Sequence, residues 1–211
     1  MSEQRQFLEA LWPGGLLPGH RLLIWTLQDK RSHWFTDLES AISHAEGINR
    51  ATDAYVGCGT TRMTLGATQR ATSAQVAAIP GLWADIDFGA GKKRRPADAD
   101  AAWKFAVAIT GQPPSLTVHS GHGLQAWWLF SEPVEIGPGD AERVKSFGEA
   151  VIVRGKTFNY DIDSVWDLSR IMRIPGTVNN KAEPVPVRLY DDPVRQSRSP
   201  TDTGGRTSNT G

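Results

Sequence analysis

The segment LWADIDF, residues 82–88, places two aspartates inside an apolar run. Its alternation predicts a strand, in which residues two apart share a face, so Asp85 and Asp87 project together. Two ionised carboxylates repel each other, and a hard divalent cation such as Mg²⁺ or Mn²⁺ relieves that repulsion because it prefers oxygen ligands. Two such ions, about 3.5–4 Å apart, can catalyse an in-line phosphoryl displacement. The alternative is an edge strand whose charged outer face is simply solvated.

A glycine-bounded bend, TVHSGHGLQAWW, occupies residues 117–128. A Gly-x-Gly bend between two strands lets backbone amides approach an anion closely, and His122 at its tip could contact a phosphate. One alternative is a hairpin turn with an exposed histidine. Another is a metal pair formed by His119 and His122, but the sequence offers no third nitrogen or sulfur ligand nearby.

Acidic residues precede a predicted helix in YDIDSVWDLSRIM, residues 160–172. Ser164 and Asp167 have the spacing of a capping box, which would open the helix. Asp163 lies just before it and is placed to join the acidic pair as a third carboxylate. Its alternative role is that of an N-cap residue.

Basic residues follow in the same helix and after it. Arg170 and Arg173, three residues apart, can face one way on a helix, and two arginines beside a carboxylate centre suit a triphosphate. They could instead form ion pairs with the neighbouring aspartates. Lys181 follows a Pro-Gly turn, and we expect it to reach the same centre.

Four consecutive cations, Lys92, Lys93, Arg94 and Arg95, form a loop just beyond the acidic pair. Such a loop could hold the backbone of a DNA template or primer. Charge runs in loops are also commonly just solvated, so the sequence leaves both interpretations open.

These groups must be positioned by helices and strands in alternation. Helices are predicted over residues 3–12, 37–45, 73–78, 97–109 and 139–153, and from residue 164 to just before Pro175. Strands are predicted over residues 21–27, 30–35, 54–60, 82–88, 115–120, 124–130 and 185–190. Without a strict βαβ rhythm, this order predicts an α+β (mixed α/β) fold in which helices pack on a mixed sheet. The polar, low-complexity residues 191–211 predict a disordered tail or a linker.

The bulk properties bound the class of protein. A chain of 211 residues makes one large domain or two small ones, and its formal net charge of zero gives no global field for nucleic acid, although a local patch can still bind it. The single cysteine, Cys58, excludes an internal disulfide framework and a cysteine-rich zinc site. Neither a signal peptide nor a membrane-spanning run is visible, so we expect a soluble cytoplasmic protein without membrane contact.

Taken together and in this order, the three blocks resemble the archaeo-eukaryotic primase superfamily, and the nearest match is to the primase-polymerase domains of phage and plasmid replication proteins. The resemblance spans roughly residues 54–181. LWADIDF is similar to the acidic, metal-binding first motif, and Ser120-Gly121-His122 resembles the serine-x-histidine second motif. Residues 163–181 are similar to the third region, where an aspartate precedes the run R-x-x-R-x-P-G-T-x-N-x-K.

The resemblance implies a primase-polymerase domain over residues 1–190, with a mixed sheet, flanking helices and an RRM-like catalytic half. It implies a two-metal nucleotidyltransferase that primes or extends DNA in phage or plasmid replication, with two Mg²⁺ or Mn²⁺ ions and no zinc. The implied partners are a single-stranded DNA template, NTPs or dNTPs, and a helicase domain in the same, longer chain. The implied site residues are Asp85, Asp87 and Asp163 for the metals, Ser120, His122, Arg170, Arg173 and Lys181 for the nucleotide, and Lys92, Lys93, Arg94 and Arg95 for DNA.

The sequence departs from the family at one position. Many members carry the motif histidine after a Gly-Leu pair, where this chain has Gln125. We predict that His122 takes the phosphate-binding role, because a cationic donor suits a triphosphate. Two other function classes stay open: a metal-dependent nuclease or nicking replication initiator, and a non-catalytic module that binds nucleotides or DNA. A nicking enzyme usually needs a tyrosine nucleophile near a histidine pair, and no tyrosine here lies on a helix with that pattern.

Overall fold

The computed structural model describes residues 1–91 and 94–190, so Lys92, Lys93 and the predicted tail over 191–211 lie outside the described residues. The α-helices in this part of the chain are α1 Glu3–Leu11, α2 Leu38–Glu46, α3 Ala99–Thr110 and α4 Asp140–Thr157. The strands are β1 Leu22–Thr26, β2 Arg31–Phe35, β3 Ala54–Gly57, β4 Thr60–Thr61, β5 Val76–Asp87, β6 Leu116–His119, β7 Gly123–Glu135, β8 Ile171–Arg173, β9 Val178–Asn179, β10 Val185–Pro186 and β11 Arg188–Leu189. None of these helices combines the length and the apolar character needed to cross a membrane.

The strands form two main sheets, which confirms the α+β class. The first sheet has the order β2-β1-β3-β8, and the second has the order β11-β6-β7-β5-β4, while β9 and β10 form a separate small pair. Every strand pairing among residues 1–91 and 94–190 is antiparallel. We expected a sheet with both parallel and antiparallel strands, and in this respect the structure differs from the expectation. Short connections such as the bend between β6 and β7 can join neighbouring strands only in antiparallel fashion.

Two apolar clusters lie on the two faces of the second sheet. The first cluster combines α1 and α2 with both sheets and includes Phe7, Leu11, Ile24, Ile42, Val56, Met172, Trp83 and Trp127. The second cluster packs α3 and α4 against the opposite face and includes Ala84, Ile86, Leu124, Ala126, Phe105 and Val151. At the end of β5, Trp83 belongs to the first cluster whereas Ala84 and Ile86 belong to the second, which fixes the direction of the neighbouring polar side chains.

Local capping sets the helix starts that lead into this core. The Asp37 carboxylate accepts a hydrogen bond from the Ser40 N–H at 2.8 Å and caps α2, at the position where the sequence predicts the helix to open. Asp98 caps α3 in the same way, through the Ala101 N–H at 2.8 Å. The starts of α2 and α3 thus follow from their own local sequences.

The predicted helix from residue 164 is wrong. Residues 161–167 have no regular secondary structure, and Ile171–Arg173 form β8, which pairs with Tyr55–Gly57 of β3. The capping box is absent, because Asp167 forms an ion pair with Arg170 at 2.7 Å instead. A strand partner from a distant part of the chain outweighs the local helical pattern here.

Several boundaries also differ from the predicted ones. The predicted helix over 73–78 is a single 3₁₀ turn, Ser73–Gln75, after which β5 begins at Val76. The β5–β7 ladder runs from Ala78 opposite Glu135 to Asp87 opposite Gly123, and so extends both predicted strands. The strand predicted over 185–190 is divided into β10 and β11.

Gly148 of α4 makes room for the irregular segment. A Cβ atom at this position would lie 2.4 Å from Trp166 Cε3 and 2.5 Å from Trp166 Cβ. Alanine inside a helix is usually about 1 kcal/mol more favourable than glycine, but this clash reverses the sign. We expect Gly148→Ala to lower the free energy of unfolding by about 1–3 kcal/mol in urea titrations followed by circular dichroism.

The matched control is Gly47→Ala at the end of α2. A Cβ atom there would make only ordinary contacts, 3.5 Å to the Ser43 carbonyl oxygen, and the backbone is right-handed helical. Its stability should change by less than about 0.5 kcal/mol. A Gly148→Ala protein as stable as the control would contradict the packing argument.

Candidate active site

The acidic pair of β5 continues the face that carries the first apolar cluster. Trp83 is paired with Trp127 of β7, whereas Asp85 is paired with Gln125. Side chains two apart along a strand share a face, so Trp83, Asp85 and Asp87 lie on the same face of β5. This face is apolar at Trp83 and polar from Asp85 onward. The two carboxylates share a face, as the alternation predicts.

A cavity of about 450 Å³ opens in front of these carboxylates, a size typical of small-molecule sites. Residues of both sheets line it. It brings together most of the predicted site residues, namely Asp85, Asp87, Ser120, His122, Arg170, Arg173 and Lys181, and it also includes Gln125, Trp25 and Tyr55. Three blocks that are far apart in the sequence therefore meet at one place.

Asp85 is the most perturbed acidic group of the cavity. Burial raises the pKa of Asp85 to about 6, and the neighbouring Asp87 charge adds to the increase. Arg170 and Arg173 oppose it, and Asp163 adds a smaller increase. Burial and the Asp87 charge therefore disfavour the ionised form of Asp85, and a cation placed beside it would stabilise that form.

Arg95 supplies part of that positive charge. Its Nη2 lies 2.8 Å from Asp87 Oδ2. Arg94 forms a second ion pair, with Asp161, at 2.7 Å. These two arginines of the basic loop, predicted to bind DNA, neutralise carboxylates of the protein itself in this structure, and their contact with DNA stays a prediction.

Asp163 lies in the irregular segment and its side chain is exposed. It does not line the cavity that contains Asp85 and Asp87. In the described ranges, no three histidine, cysteine, aspartate or glutamate side chains are grouped closely enough to hold a metal ion. The helix expected to fix Asp163 beside the pair is absent, so its role as a third metal ligand stays a prediction.

Arg173 is held firmly in the wall of the cavity. It is buried, with 7% of its surface exposed, and its Nη1 pairs with Asp53, which is buried even more deeply. Its guanidinium carbon lies 4.7 Å from the centre of the Tyr55 ring. A charged group fixed on two sides in this way keeps its orientation without a ligand.

The comparisons with known proteins bear on the fold that carries this cavity. No protein-family model matches the sequence, and no curated protein matches it either. Among solved structures, the primase RepB′ is similar with a TM-score of 0.52 at 14% identity, over 90% of this chain and 55% of that chain. The chain has a primase fold. This confirms, at the level of the fold, the archaeo-eukaryotic primase resemblance expected from the sequence.

Two further structures are similar with lower scores. The AEP domain of the primase-polymerase of cyanophage S-2L has a TM-score of 0.47 at 16% identity, over 82% of this chain and 80% of that chain. The catalytic domain of RepB′ in complex with initiator DNA has a TM-score of 0.48 at 13% identity, over 90% of this chain and 85% of that chain.

Within this primase fold, the bend between β6 and β7 presents His122 to the cavity. The Ser120 hydroxyl donates to the Gly123 carbonyl oxygen at 3.0 Å, and the Ser120 carbonyl oxygen accepts from Asn179 Nδ2 at 2.6 Å. Gly121 has a φ of 97°, which glycine adopts easily. Ser120 therefore shapes the bend, and the exposed His122 is its group available to a ligand.

Gln125 has a structural contact of its own. It is 4% exposed, and its Oε1 accepts a hydrogen bond from the Arg173 backbone N–H at 3.1 Å. The contact joins the second sheet to the first directly beside Asp85. Both Gln125 and His122 line the cavity, and the assignment of the phosphate contact to His122 stays a prediction.

Arg170 and Lys181 complete the cationic side of the cavity. Arg170 lies in a turn before β8 rather than on a helix, so it shares the cavity with Arg173 through the fold and not through helical spacing. Its Nη2 pairs with Asp167, and its buried Nε has no hydrogen-bond partner among the described residues. Lys181 is exposed, and its backbone N–H donates to Asn179 Oδ1 at 3.1 Å.

Asp53, which is 1% exposed, belongs to the site although the sequence motifs do not include it. Burial alone would raise the pKa of Asp53, but hydrogen bonds from Arg173, from Gln28 Nε2 at 2.7 Å and from the Asn180 N–H at 3.1 Å hold it below the ordinary value. A lone aspartate just before a strand is typical of a turn, so no local signal could identify it.

Proposed function

We propose that this protein is a DNA primase-polymerase, a nucleotidyltransferase that joins nucleotides under the direction of a template. The observation that supports this most is one cavity on a primase fold in which an acidic pair faces several cations. Such a cavity suits a nucleoside triphosphate, whose phosphates need positive partners and whose reacting groups need a divalent cation. The residues concerned are Asp85 and Asp87 on one side and His122, Arg170, Arg173 and Lys181 on the other.

The donor set fits a hard divalent cation. Asp85 and Asp87 offer carboxylate oxygens on one face, and Mg²⁺ is usually bound through one or two carboxylates together with substrate phosphates and water. The pKa of Asp85 is raised mainly by burial and then by the Asp87 charge, so a cation bound beside it would stabilise its ionised form. We propose that these two residues hold Mg²⁺ or Mn²⁺, and that Asp163 is a further ligand when two ions are bound. Bound there, a cation neutralises the triphosphate and lowers the pKa of the attacking 3′-hydroxyl group.

The chain's own cations orient the triphosphate. Arg173 uses Nη1 to bind Asp53, which leaves further N–H groups of its fork for a phosphate oxygen. His122 and Lys181 are exposed at the cavity and can move to meet the phosphates, whereas Arg170 is partly buried. Donors that are already oriented stabilise developing negative charge without a reorganisation penalty, and Arg173 meets that condition best.

We propose single-stranded DNA as the template and NTPs or dNTPs as the substrates. The test is incorporation of labelled NTPs or dNTPs on a single-stranded DNA template, with Mg²⁺ or Mn²⁺, with and without a primer. We expect templated products that disappear in the Asp85→Asn, Asp87→Asn double variant, and primer dependence would separate extension from priming. Shortened strands would instead identify a nuclease. DNA binding without products under every combination of nucleotide and metal would overturn the enzymatic proposal and favour a binding module.

Arg95 provides a separate test of the metal assignment. Its guanidinium group competes with a cation for Asp87. We expect Arg95→Gln to bind Mn²⁺ about two- to fivefold more tightly in calorimetric titrations, since a partly exposed ion pair contributes at most about 1 kcal/mol. The matched control is Arg94→Gln, which removes the neighbouring charge but leaves Asp87 paired with Arg95. Weaker Mn²⁺ binding by Arg95→Gln would mean that Arg95 organises the site rather than competing for it.

A further inference from the structure

A row of side chains crosses the first sheet and leads away from the acidic pair. Ser32, Trp25, Tyr55 and Arg173 are successive register partners on β2, β1, β3 and β8. The two rings at its centre lie 5.6 Å apart, at an interplanar angle of 52°. Because directly opposed residues share a face, the row forms one continuous surface.

The rings of Trp25 and Tyr55 lie in the cavity wall and not in the protein interior. Both are partly exposed and line the same cavity as Asp85. Neither ring belongs to the two apolar clusters, although aromatic side chains of this size usually contribute most to a core. Their position is therefore not explained by core packing.

Each ring is covered by an arginine. The guanidinium carbon of Arg70 lies 5.3 Å from the centre of the Trp25 ring, and that of Arg173 lies 4.7 Å from the Tyr55 ring. The loop that carries Arg70 is tied to β2, because the Ser32 N–H donates to the Ala67 carbonyl oxygen at 2.7 Å and Trp34 Nε1 donates to the Gln69 carbonyl oxygen at 3.3 Å. Arg70 is exposed but is held near the ring by its loop.

A second cavity of about 490 Å³ extends the first one toward Arg70. Arg170 and Ile171 line both cavities, so the two form one groove. Ser73 and Ser169 add hydroxyl groups along it. The groove thus offers aromatic faces beside cations and hydroxyls, the combination that single-stranded nucleic acid requires for its bases and its phosphates.

We propose that Trp25, together with Tyr55 and Arg70, binds an unpaired nucleobase by stacking. Every base has a flat face, so such a platform accepts any sequence, and the neighbouring arginines meet the phosphates on either side. The inference rests on the proposed function for its ligand class and adds a base-binding subsite that the acidic pair and the phosphate contacts do not provide. The base belongs either to the DNA strand or to the incoming nucleotide, and the experiment separates these two sources.

The experiment compares ligands with and without bases. Fluorescence anisotropy measures binding of a labelled 12-nucleotide oligo(dT) and of an abasic strand of the same length, and calorimetry compares a dNTP with inorganic tripolyphosphate. Wild-type protein should prefer the base-containing ligand in at least one of these two pairs. A preference in the oligonucleotide pair assigns the base to the DNA strand, and a preference in the nucleotide pair assigns it to the incoming nucleotide. Trp25→Ala should weaken binding of that ligand about tenfold and remove the preference, whereas Trp25→Phe should keep most of it.

Two charge variants guard against misfolding as an explanation. Arg70→Gln, at an exposed position, should weaken binding severalfold without a change in melting temperature. Arg154 also lies over an aromatic ring, 5.9 Å from the centre of the Phe158 ring, but neither residue lines the groove, so Arg154→Gln should bind like the wild type. Unchanged binding of all four ligands by Trp25→Ala and Arg70→Gln would overturn the inference.

The binding assay keeps this inference separate from the proposed function. The Asp85→Asn, Asp87→Asn double variant should lose incorporation but keep its preference for base-containing strands. A wild-type protein that makes no product, yet loses that preference in Trp25→Ala, would retain the base subsite and lose the enzymatic proposal. Templated products together with a Trp25→Ala variant that binds normally would support the enzymatic proposal and overturn the base subsite.

Discussion

Asp85→Asn is expected to reduce nucleotide incorporation by at least about a hundredfold, because the amide cannot replace the carboxylate charge that we propose holds a divalent cation. A bound cation supplies several kcal/mol of charge stabilisation in phosphoryl transfer, and about 1.4 kcal/mol corresponds to a tenfold change in rate. Primer extension under single-turnover conditions measures the loss. The control is Glu132→Gln, an exposed acidic residue near the other end of β7, which should leave the rate unchanged. Full activity of Asp85→Asn would remove Asp85 from the catalytic centre.

The same variant should be more stable than the wild type when a chelator is present. The folded-state pKa of Asp85 is raised from 3.8 to about 6, so the folded protein holds this proton more tightly than the unfolded chain. The stability from the protonated form is complete below about pH 4 and is lost as the pH rises through about 6. At pH 7 we expect the free energy of unfolding of Asp85→Asn to exceed that of the wild type by about 1–2 kcal/mol. This difference is smaller than the full pKa shift implies, because Asp85 is partly exposed and solvent screens its charge.

Urea titrations between pH 4 and pH 7 check this expectation, because the advantage of Asp85→Asn should grow across that interval. A variant that is less stable than the wild type at every pH would show that the carboxylate contributes to folding. Loss of activity combined with gain of stability is typical of a residue retained for function.

Asp53→Ala is expected to lower the free energy of unfolding by about 3–5 kcal/mol, since it leaves the buried Arg173 guanidinium without its counter-charge. It also removes the acceptor for Gln28 and for the Asn180 N–H. Urea unfolding followed by circular dichroism measures the change. Glu39→Ala is the matched control, because its ion pair with Arg5 is exposed and should contribute less than about 1 kcal/mol.

The pH dependence of the Asp53 effect has the opposite sign to that of Asp85. The folded-state pKa of Asp53 is held below its ordinary value, so the stability it contributes is present above that ordinary value and is lost as the pH falls through the lowered pKa. The difference between wild type and Asp53→Ala should therefore narrow in acid. A second replacement, Arg173→Met, should restore part of the stability of Asp53→Ala by removing the unpaired charge. An Asp53→Ala protein with wild-type stability would show that this buried ion pair does not contribute to the stability of the fold.

The sequence by itself determined the features that depend on neighbours along the chain. Strand alternation placed Asp85 and Asp87 on one face of β5, and local hydrogen bonding at Asp37 predicted the start of α2. The order of helices and strands indicated the α+β class, because most elements, although not the segment from residue 164, follow the periodicity of their own residues. The glycine-bounded bend that presents His122 follows from the same local rules.

Only the tertiary structure decided how the distant parts of the site meet. The helical spacing of Arg170 and Arg173 was misleading, because pairing with β3 turned Ile171–Arg173 into a strand. Asp53 and Arg173, 120 residues apart, form a buried ion pair that neither local segment indicates. The physical reason is that a charge buried by packing must find its partner in space, and local periodicity holds no information about which distant residue the packing brings there.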